Sequence, residues 1–438
     1  MSVKKYSSIW RPCTQHKFVE NVEDIVITKG DGLKVFDEKG KQYWDLIASW
    51  WVNIHGHCNK YIADALVKQV YELDHIIAAD FLHKPAIKLI EMLKTEMNNN
   101  FSHFFFADNG STSVEVAMKM AFQYHHNKTD KVKKTFITFE GGYHGDTFAC
   151  MALNKNSPFA SVYSDVLPFD LFQIPFPQNW IDCEDVQLRE DEAIEKLEHF
   201  LQLKGDDVIA AVFEPLLQGS AGMRMCRIEF MNRVIALLKR YGIIVIFDEV
   251  FTAFGRTGKM FAYQNLELVP DVICFSKGIT AGFLPFGLVA CVEKIYNAFY
   301  ADDVSKAFLH SHSYACNPIS CAVAVASLEL FAMNKTMQQV VRINKCYLAL
   351  LPSFEAKLAG KIEKLRVMGG VFAFDVKLGD SQYGSSFSRQ FKFKAFEKGL
   401  ILRPIGNTVY MVPPYCISDE EIETSLNKIV EIVDWFVE

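Results

Sequence analysis

Several things are scarce in this 438-residue chain, and each scarcity removes a class of function. Basic charge is not in excess: 46 Lys and Arg against 52 Asp and Glu leave a net charge of -6. The global charge therefore favours no nucleic acid and no anionic membrane as partner. No uninterrupted apolar run approaches the ~20 residues needed to cross a bilayer. The two lysines of Met1-Ser-Val-Lys-Lys-Tyr6 are followed by no apolar stretch, which argues against a signal peptide. The eleven cysteines are scattered and form no C-x-x-C pair. They read as reduced thiols of a cytoplasmic protein, not as a disulfide framework. Internal repeats, low-complexity tracts and Pro/Gly/Ser-rich linkers are also missing, so an extended array is not indicated.

What is present is a globular composition, 50% hydrophobic and 22% charged, with 36 phenylalanines that point to extensive aromatic burial and an apolar subunit interface. The length suits one large and one smaller domain. Val208–Phe213 and Ile243–Phe247 are nearly continuous apolar runs, as expected of strands buried on both faces. Between them Phe230–Tyr241 reads as a helix closed by Gly242. Asp271–Phe275 is a further buried strand. This β-α-β rhythm predicts an α/β fold whose sheet is mostly parallel and flanked by helices. Leu66, Val70, Leu73 and Ile77 keep the spacing of an amphipathic helix. Near the C-terminus, strands around Val371–Val376 and Thr408–Val412 precede a helix opened by a Ser418/Glu421 capping box, as in a smaller α+β domain.

Parallel-sheet proteins place chemistry at the C-terminal ends of strands. One predicted strand ends in Asp248-Glu249 and its neighbour in Ser276-Lys277-Gly278. Asp108-Asn-Gly-Ser-Thr112 forms a glycine turn between the run Phe104–Ala107 and a helix. There Thr112 and Glu115 are read as a capping box, and the amides near Gly110 and Ser111 as a phosphate cradle. The turn fits neither the dinucleotide nor the Walker pattern, and Gly255–Lys259 is a false half P-loop because Met260 replaces the needed hydroxyl. A phosphate cradle, a carboxylate and a lysine are the three parts of a pyridoxal 5′-phosphate site: the amine condenses with the aldehyde, and the carboxylate keeps the pyridine nitrogen protonated. His55-Gly-His57 and His310-Ser-His312 lack a carboxylate or cysteine at ligand spacing, so no metal is expected.

Taken together the motifs resemble class III aminotransferases of fold type I, over nearly the whole chain. They include Ile9-Trp-Arg-Pro12, Ser49-Trp-Trp51, Gly141-Gly-Tyr-His-Gly-Asp146, Glu214-Pro, Asp248-Glu-Val250, Phe254-Gly-Arg-Thr-Gly258, Ser276-Lys-Gly278, Leu402-Arg-Pro404 and Tyr410–Tyr415. Within that class the Trp-Trp pair, Gly-Tyr-His-Gly-Asp and Arg403-Pro404 resemble the branch that converts 8-amino-7-oxononanoate to 7,8-diaminononanoate in biotin biosynthesis. The resemblance implies a large domain over 56–327, a small domain from 1–55 with 328–438, and a homodimer with shared active sites.

It implies that Lys277 binds the cofactor and moves the proton, that Asp248 pairs with the pyridine nitrogen and that Tyr143 stacks on the ring. Gly110 and Ser111, with His312 and Ser313 of a second subunit, would hold the phosphate. Glu214 and Asp146 would support the site, and Trp50, Trp51, Tyr143, Ser311 and Arg403 would meet substrate, Arg403 through the oxononanoate carboxylate. Arg256 is expected to brace its glycine-rich loop against nearby carboxylates. Cys13 stands where many relatives have tyrosine, and His310–Tyr314 where many have His-Gly-Pro-Thr-Phe. The implied amino donor is S-adenosyl-L-methionine; lysine as donor, or another class III ω-amine reaction, remains the alternative.

Overall fold

The structure is a computed structural model that describes residues 8–20, 22–129, 132–155, 157–166, 169–378 and 386–437. The segment Met1–Tyr6 lies outside them. Seven strands build the central sheet: β1 (His103–Ala107), β2 (Thr135–Phe139), β3 (Asp170–Ile174), β4 (Val208–Phe213), β5 (Ile244–Asp248), β6 (Val272–Phe275) and β7 (Gly287–Cys291). Their spatial order is β1-β7-β6-β5-β4-β2-β3. The five strands from β6 to β3 are mutually parallel, while β7 runs antiparallel to both β6 and β1. The sheet is thus mixed and mostly parallel, as the sequence predicts.

Every residue of β4, β5 and β6 is buried. Helices cover both faces of such a sheet, which is why the strands read as unbroken Val, Ile and Phe runs instead of alternating ones. The helix Ile228–Arg240 connects β4 to β5, and Gly242 past its end takes a φ of +68° that a side chain would disfavour.

Among the described residues, a four-stranded and a three-stranded sheet flank this core, besides the short pair Leu217–Gln218 and Arg224–Met225. Strands Ile27–Asp31, Lys34–Asp37 and Gln42–Asp45 are joined by Leu400–Ile401, which pairs in parallel with Trp44 and Asp45. Ile362–Met368, Val371–Val376 and Thr408–Met411 form an antiparallel sheet. The final helix, Asp419–Val437, opens with the expected reciprocal cap: Ser418 N–H donates to Glu421 and Glu421 N–H to the Ser418 hydroxyl.

The amphipathic stripe at Leu66 differs from expectation. The helix spans Lys60–Glu72, so Leu73 and Ile77 fall beyond it. Its inward face is Ile62, Ala65, Leu66 and Gln69, against the helix Pro318–Met333, and Val70 and Ile77 are 44% and 56% exposed. Asn59, whose side chain accepts from Tyr61 N–H, starts the helix early, and extended Leu73 stops it.

Arg366, 2% exposed, ties the three-stranded sheet to the core by donating to Gly222 O, Met223 O and Asp375. Thr408 donates to the same carboxylate at 2.8 Å. Removing one partner of a buried pair leaves the other charge uncompensated, at about 3 kcal/mol or more, whereas an exposed cap is worth about 1 kcal/mol. Asp375→Ala should therefore lower the thermal unfolding midpoint clearly more than Ser418→Ala does, measured by differential scanning calorimetry; equal shifts would refute this ranking.

Candidate active site

A cavity of about 990 Å³ opens where the C-terminal ends of β1, β2, β4, β5 and β6 meet. Asp248 closes β5 and is 4% exposed; one oxygen receives the Val250 N–H at 3.1 Å, and the other lies 2.8 Å from His144 Nδ1. His144 is 4% exposed, and its Nε2 has no partner among the described residues. Lys277 follows β6 at a left-handed φ of +44°. Its amine sits 5.0 Å from the Trp51 ring centre and 5.8 Å from that of Phe251, with no hydrogen bond among the described residues. Burial pulls its pKa down, and the carboxylates of Asp248 and Glu214 act against that pull.

Glu214 follows β4 and receives the N–H groups of Tyr143 and Gly219, both at 3.0 Å. Burial raises its pKa to about 7, against His144 and these two amides. Tyr143 packs edge-on against Phe159; burial, then Asp146, pushes its hydroxyl pKa upward. Asp146 itself is exposed.

The turn after β1 opens a helix as expected, although its cap is not the predicted one. The helix is Gly110–Thr129, and Asn109 is the capping residue: its side chain accepts Thr112 N–H at 3.0 Å, and the Thr112 hydroxyl accepts Asn109 N–H at 3.2 Å. Thr112 is thus the inner half of the box, and Glu115 instead accepts the N–H of Ala149. The amides of Gly110 and Ser111 have no intrahelical partner and stay available to an anion. The Ser111 hydroxyl is held by the Thr147 hydroxyl at 2.8 Å and the Thr147 N–H at 3.2 Å.

Trp50, 42% exposed, and Trp51, 5% exposed, both line the cavity. Positive φ angles at Ala48, Ser49 and Trp51 turn the two rings into it, and Asp45 holds that kink by accepting from Ser49 N–H and Oγ. Arg403 lines the same cavity, its guanidinium 4.8 Å from the Trp50 ring centre and one nitrogen 3.4 Å from Cys13 O.

The structure thus gathers Lys277, Asp248, Tyr143, Gly110, Ser111, Glu214, Trp50, Trp51, Asp146 and Arg403 around one space. Ser311, His312 and Ser313 are not among its lining residues; Ser313 O meets His75 Nε2 at 2.7 Å elsewhere. Arg256 is fully buried and braces carbonyls, Pro413 O at 3.0 Å and Trp51 O at 3.3 Å, where carboxylates were expected; burial leaves it the Tyr415 ring and backbone oxygens as neighbours. His144 and Thr147 were not singled out by sequence, although both lie in or beside the Gly-Tyr-His-Gly-Asp run.

Three of these four histidines are separately engaged: His55 Nε2 meets Ser327 O, His57 pairs with Asp45, and His310 meets Lys119, while His312 Nε2 has no hydrogen-bond partner among the described residues. A third group, His83 with Cys316 and Cys321, brings nitrogen and sulfur within 4.8 Å. There His83 Nδ1 accepts Ala86 N–H, so Nε2 carries the proton it gives to Cys316 O at 2.7 Å, and the ring is a helix cap.

The class III aminotransferase family model matches residues 15–433. The chain belongs to the class III aminotransferases. Among members of the family, the adenosylmethionine-8-amino-7-oxononanoate aminotransferase of Synechococcus elongatus is 38% identical over 97% of this chain and 98% of its own length. The crystal structure of the enzyme of that name from Methanocaldococcus jannaschii superposes with a TM-score of 0.90 at 30% identity, covering 99% of this chain and 97% of that one. A PLP-bound amine transaminase from an uncultivated Pseudomonas species gives 0.88 at 25% identity, covering 98% of each chain. A fold type I, α/β architecture is common to these class III chains and to this one.

Two outcomes follow from the local geometry. Gly145 has φ +117°, and a Cβ there would stand 2.3 Å from Ser111 Oγ, so Gly145→Ala should weaken binding of a phosphate ester about tenfold or more, read by equilibrium dialysis. Glu249, fully buried, caps the N–H groups of Ala262 and Tyr263, and burial raises its pKa from 4.5 to about 8. Between those values the folded state binds the extra proton, so stability falls as pH rises, by up to ~1.4 kcal/mol per pH unit. The unfolding midpoint of the unsubstituted protein should drop relative to Glu249→Gln across that window. A difference constant with pH would contradict this.

Proposed function

We propose that this class III aminotransferase aminates 8-amino-7-oxononanoate to 7,8-diaminononanoate, the biotin-pathway reaction named for its relatives, with S-adenosyl-L-methionine as amino donor. The observation that carries the reading is a buried lysine amine, free of hydrogen bonds among the described residues, set beside a buried carboxylate and a helix N-terminus whose first amides face the same cavity.

Pyridoxal 5′-phosphate fits these residues. A Cβ on Gly110 would meet Val250 at 2.7 Å, so the bare glycine keeps the helix start close to the cavity floor. When bound, the cofactor supplies an aldehyde that condenses with amines and a ring that draws electrons from the neighbouring carbon. Gly110 and Ser111 hold the phosphate through their amides, with Thr147 fixing the serine side chain. Asp248, oriented by His144 and the Val250 N–H, presents its charge to a ring nitrogen. Lys277 Nζ would take the proton from the donor's amine-bearing carbon and pass it to the carbon of the cofactor's aldehyde, and serve the acceptor by the reverse transfer; burial keeps more of this amine neutral at working pH. Tyr143 covers the ring and, with Trp50 and Trp51, keeps water from the reacting amine. Arg403 receives the carboxylate of the oxononanoate. Donor and acceptor enter one cavity in turn, so ping-pong kinetics follow.

We also read the chain as a homodimer in the cytoplasm. Ser311, His312 and Ser313 lie outside this chain's own cavity, on a segment where Leu309 and Tyr314 are exposed and the Tyr314 ring packs 5.7 Å from that of His75; that supports their service to a second copy's site. The eleven free cysteines support a reducing compartment. The division into 56–327 and 1–55 with 328–438 is supported by the pairing of Leu400–Ile401 with Trp44–Asp45.

Protein supplied with pyridoxal phosphate should absorb in the visible, and Lys277→Ala should lack that band and turn over at least about a thousandfold more slowly. S-adenosyl-L-methionine alone should bleach the band. Bleaching by lysine alone would overturn the donor, and no visible band in the supplemented protein would overturn the reaction.

A further inference from the structure

One wall of the cavity carries more positive charge than a single monocarboxylate requires of one arginine. Arg389 and Lys392 lie three residues apart on the helix Ser386–Glu397, hence on one face, and both line the cavity with Arg403. The Ser388 hydroxyl donates to Pro404 O at 2.7 Å and fastens that helix to the loop bearing Arg403. Lys392 senses Arg403, Arg11 and Arg389; burial and these like charges lower its pKa. Arg11 is neutralised by an ion pair with Asp24. Among the described residues no carboxylate pairs with the other three. Arg389 lies 4.1 Å from the Phe18 ring centre and Arg403 4.8 Å from that of Trp50, so aromatic faces and not counter-ions support them.

Cations gathered in a half-buried wall without a counter-ion repel one another, and an anion that enters relieves all of them at once. A carboxylate has about four acceptor positions, enough for an arginine fork and further donors. Resting on the reaction proposed above, we infer that Lys392 and Arg389 are specificity-determining residues that hold the carboxylate of the keto substrate together with Arg403. The wall then selects acceptors by charge: a chain ending in a carboxylate is drawn in, and one ending in a neutral group is not. It also disfavours a cationic end group at the same spot, so the donor's positive end must lie against another wall.

The test uses the pyridoxal-phosphate-loaded enzyme in steady state, with 8-amino-7-oxononanoate or its methyl ester as varied acceptor. Lys392→Gln and Arg389→Gln should each raise KM for the acid about tenfold, with kcat within about twofold and KM for the donor and the ester unchanged. Lys392→Arg should recover most of the loss, which separates charge from misfolding. If neither glutamine variant alters KM for the acid, or if acid and ester suffer alike, the inference is wrong. An unsubstituted enzyme that turns over neither acceptor would instead sink the proposed reaction, and this inference with it.

Discussion

A strand buried on both faces can carry charged side chains only at or beyond its last paired residue, and that constraint arranges this molecule. The interior of β4, β5 and β6 is closed to charge, so Glu214, Asp248 and Lys277 appear at their C-terminal ends. Because these strands are parallel, the ends fall on one edge. The antiparallel β7 returns β1 to the same direction, which brings the Gly110 helix start to that edge too. One rule of burial thereby assembles an amine, two carboxylates and a helix N-terminus without any of them being adjacent in sequence.

The same edge stores strain. Lys277 at φ +44° and the run Ala48, Ser49 and Trp51 at φ of +47°, +64° and +67° are conformations that side chains disfavour. They persist because packing and the Asp45 hydrogen bonds over-determine them. The result is that the lysine and both tryptophans meet in one small space, with burial setting the amine's tendency to lose its proton.

Much of this was legible beforehand. The apolar runs of β4 to β6 marked their own boundaries to within a residue or two, and Asp248 and Lys277 stood out as charges closing apolar strands. What escaped was information carried by contacts between distant positions. His144 is joined to Asp248 across 104 residues and has no local signal of its role. The cap of the Gly110 helix was misread because Asn109-x-x-Thr112 and Thr112-x-x-Glu115 overlap, and only the end of β1 at Ala107 decides between them. The stripe from Leu66 failed for a similar reason: periodicity names a face, but which face is covered depends on where the helix stops and what packs on it. Arg389 and Lys392 carry no motif, and on a lone helix they are ordinary charged positions.

The contact between Arg403 and Cys13 O joins residues 390 positions apart, and the sheet pairing of Leu400 with Trp44 is nearly as distant. Synthesis from the N-terminus therefore delivers the amine, the carboxylates and the Gly110 helix start before the wall that faces them. A chain still emerging from the ribosome lacks the segment that carries Arg389, Lys392 and Arg403. Closing so large a loop costs more chain entropy than local folding does, so this wall can be completed only once nearly the whole chain has been made.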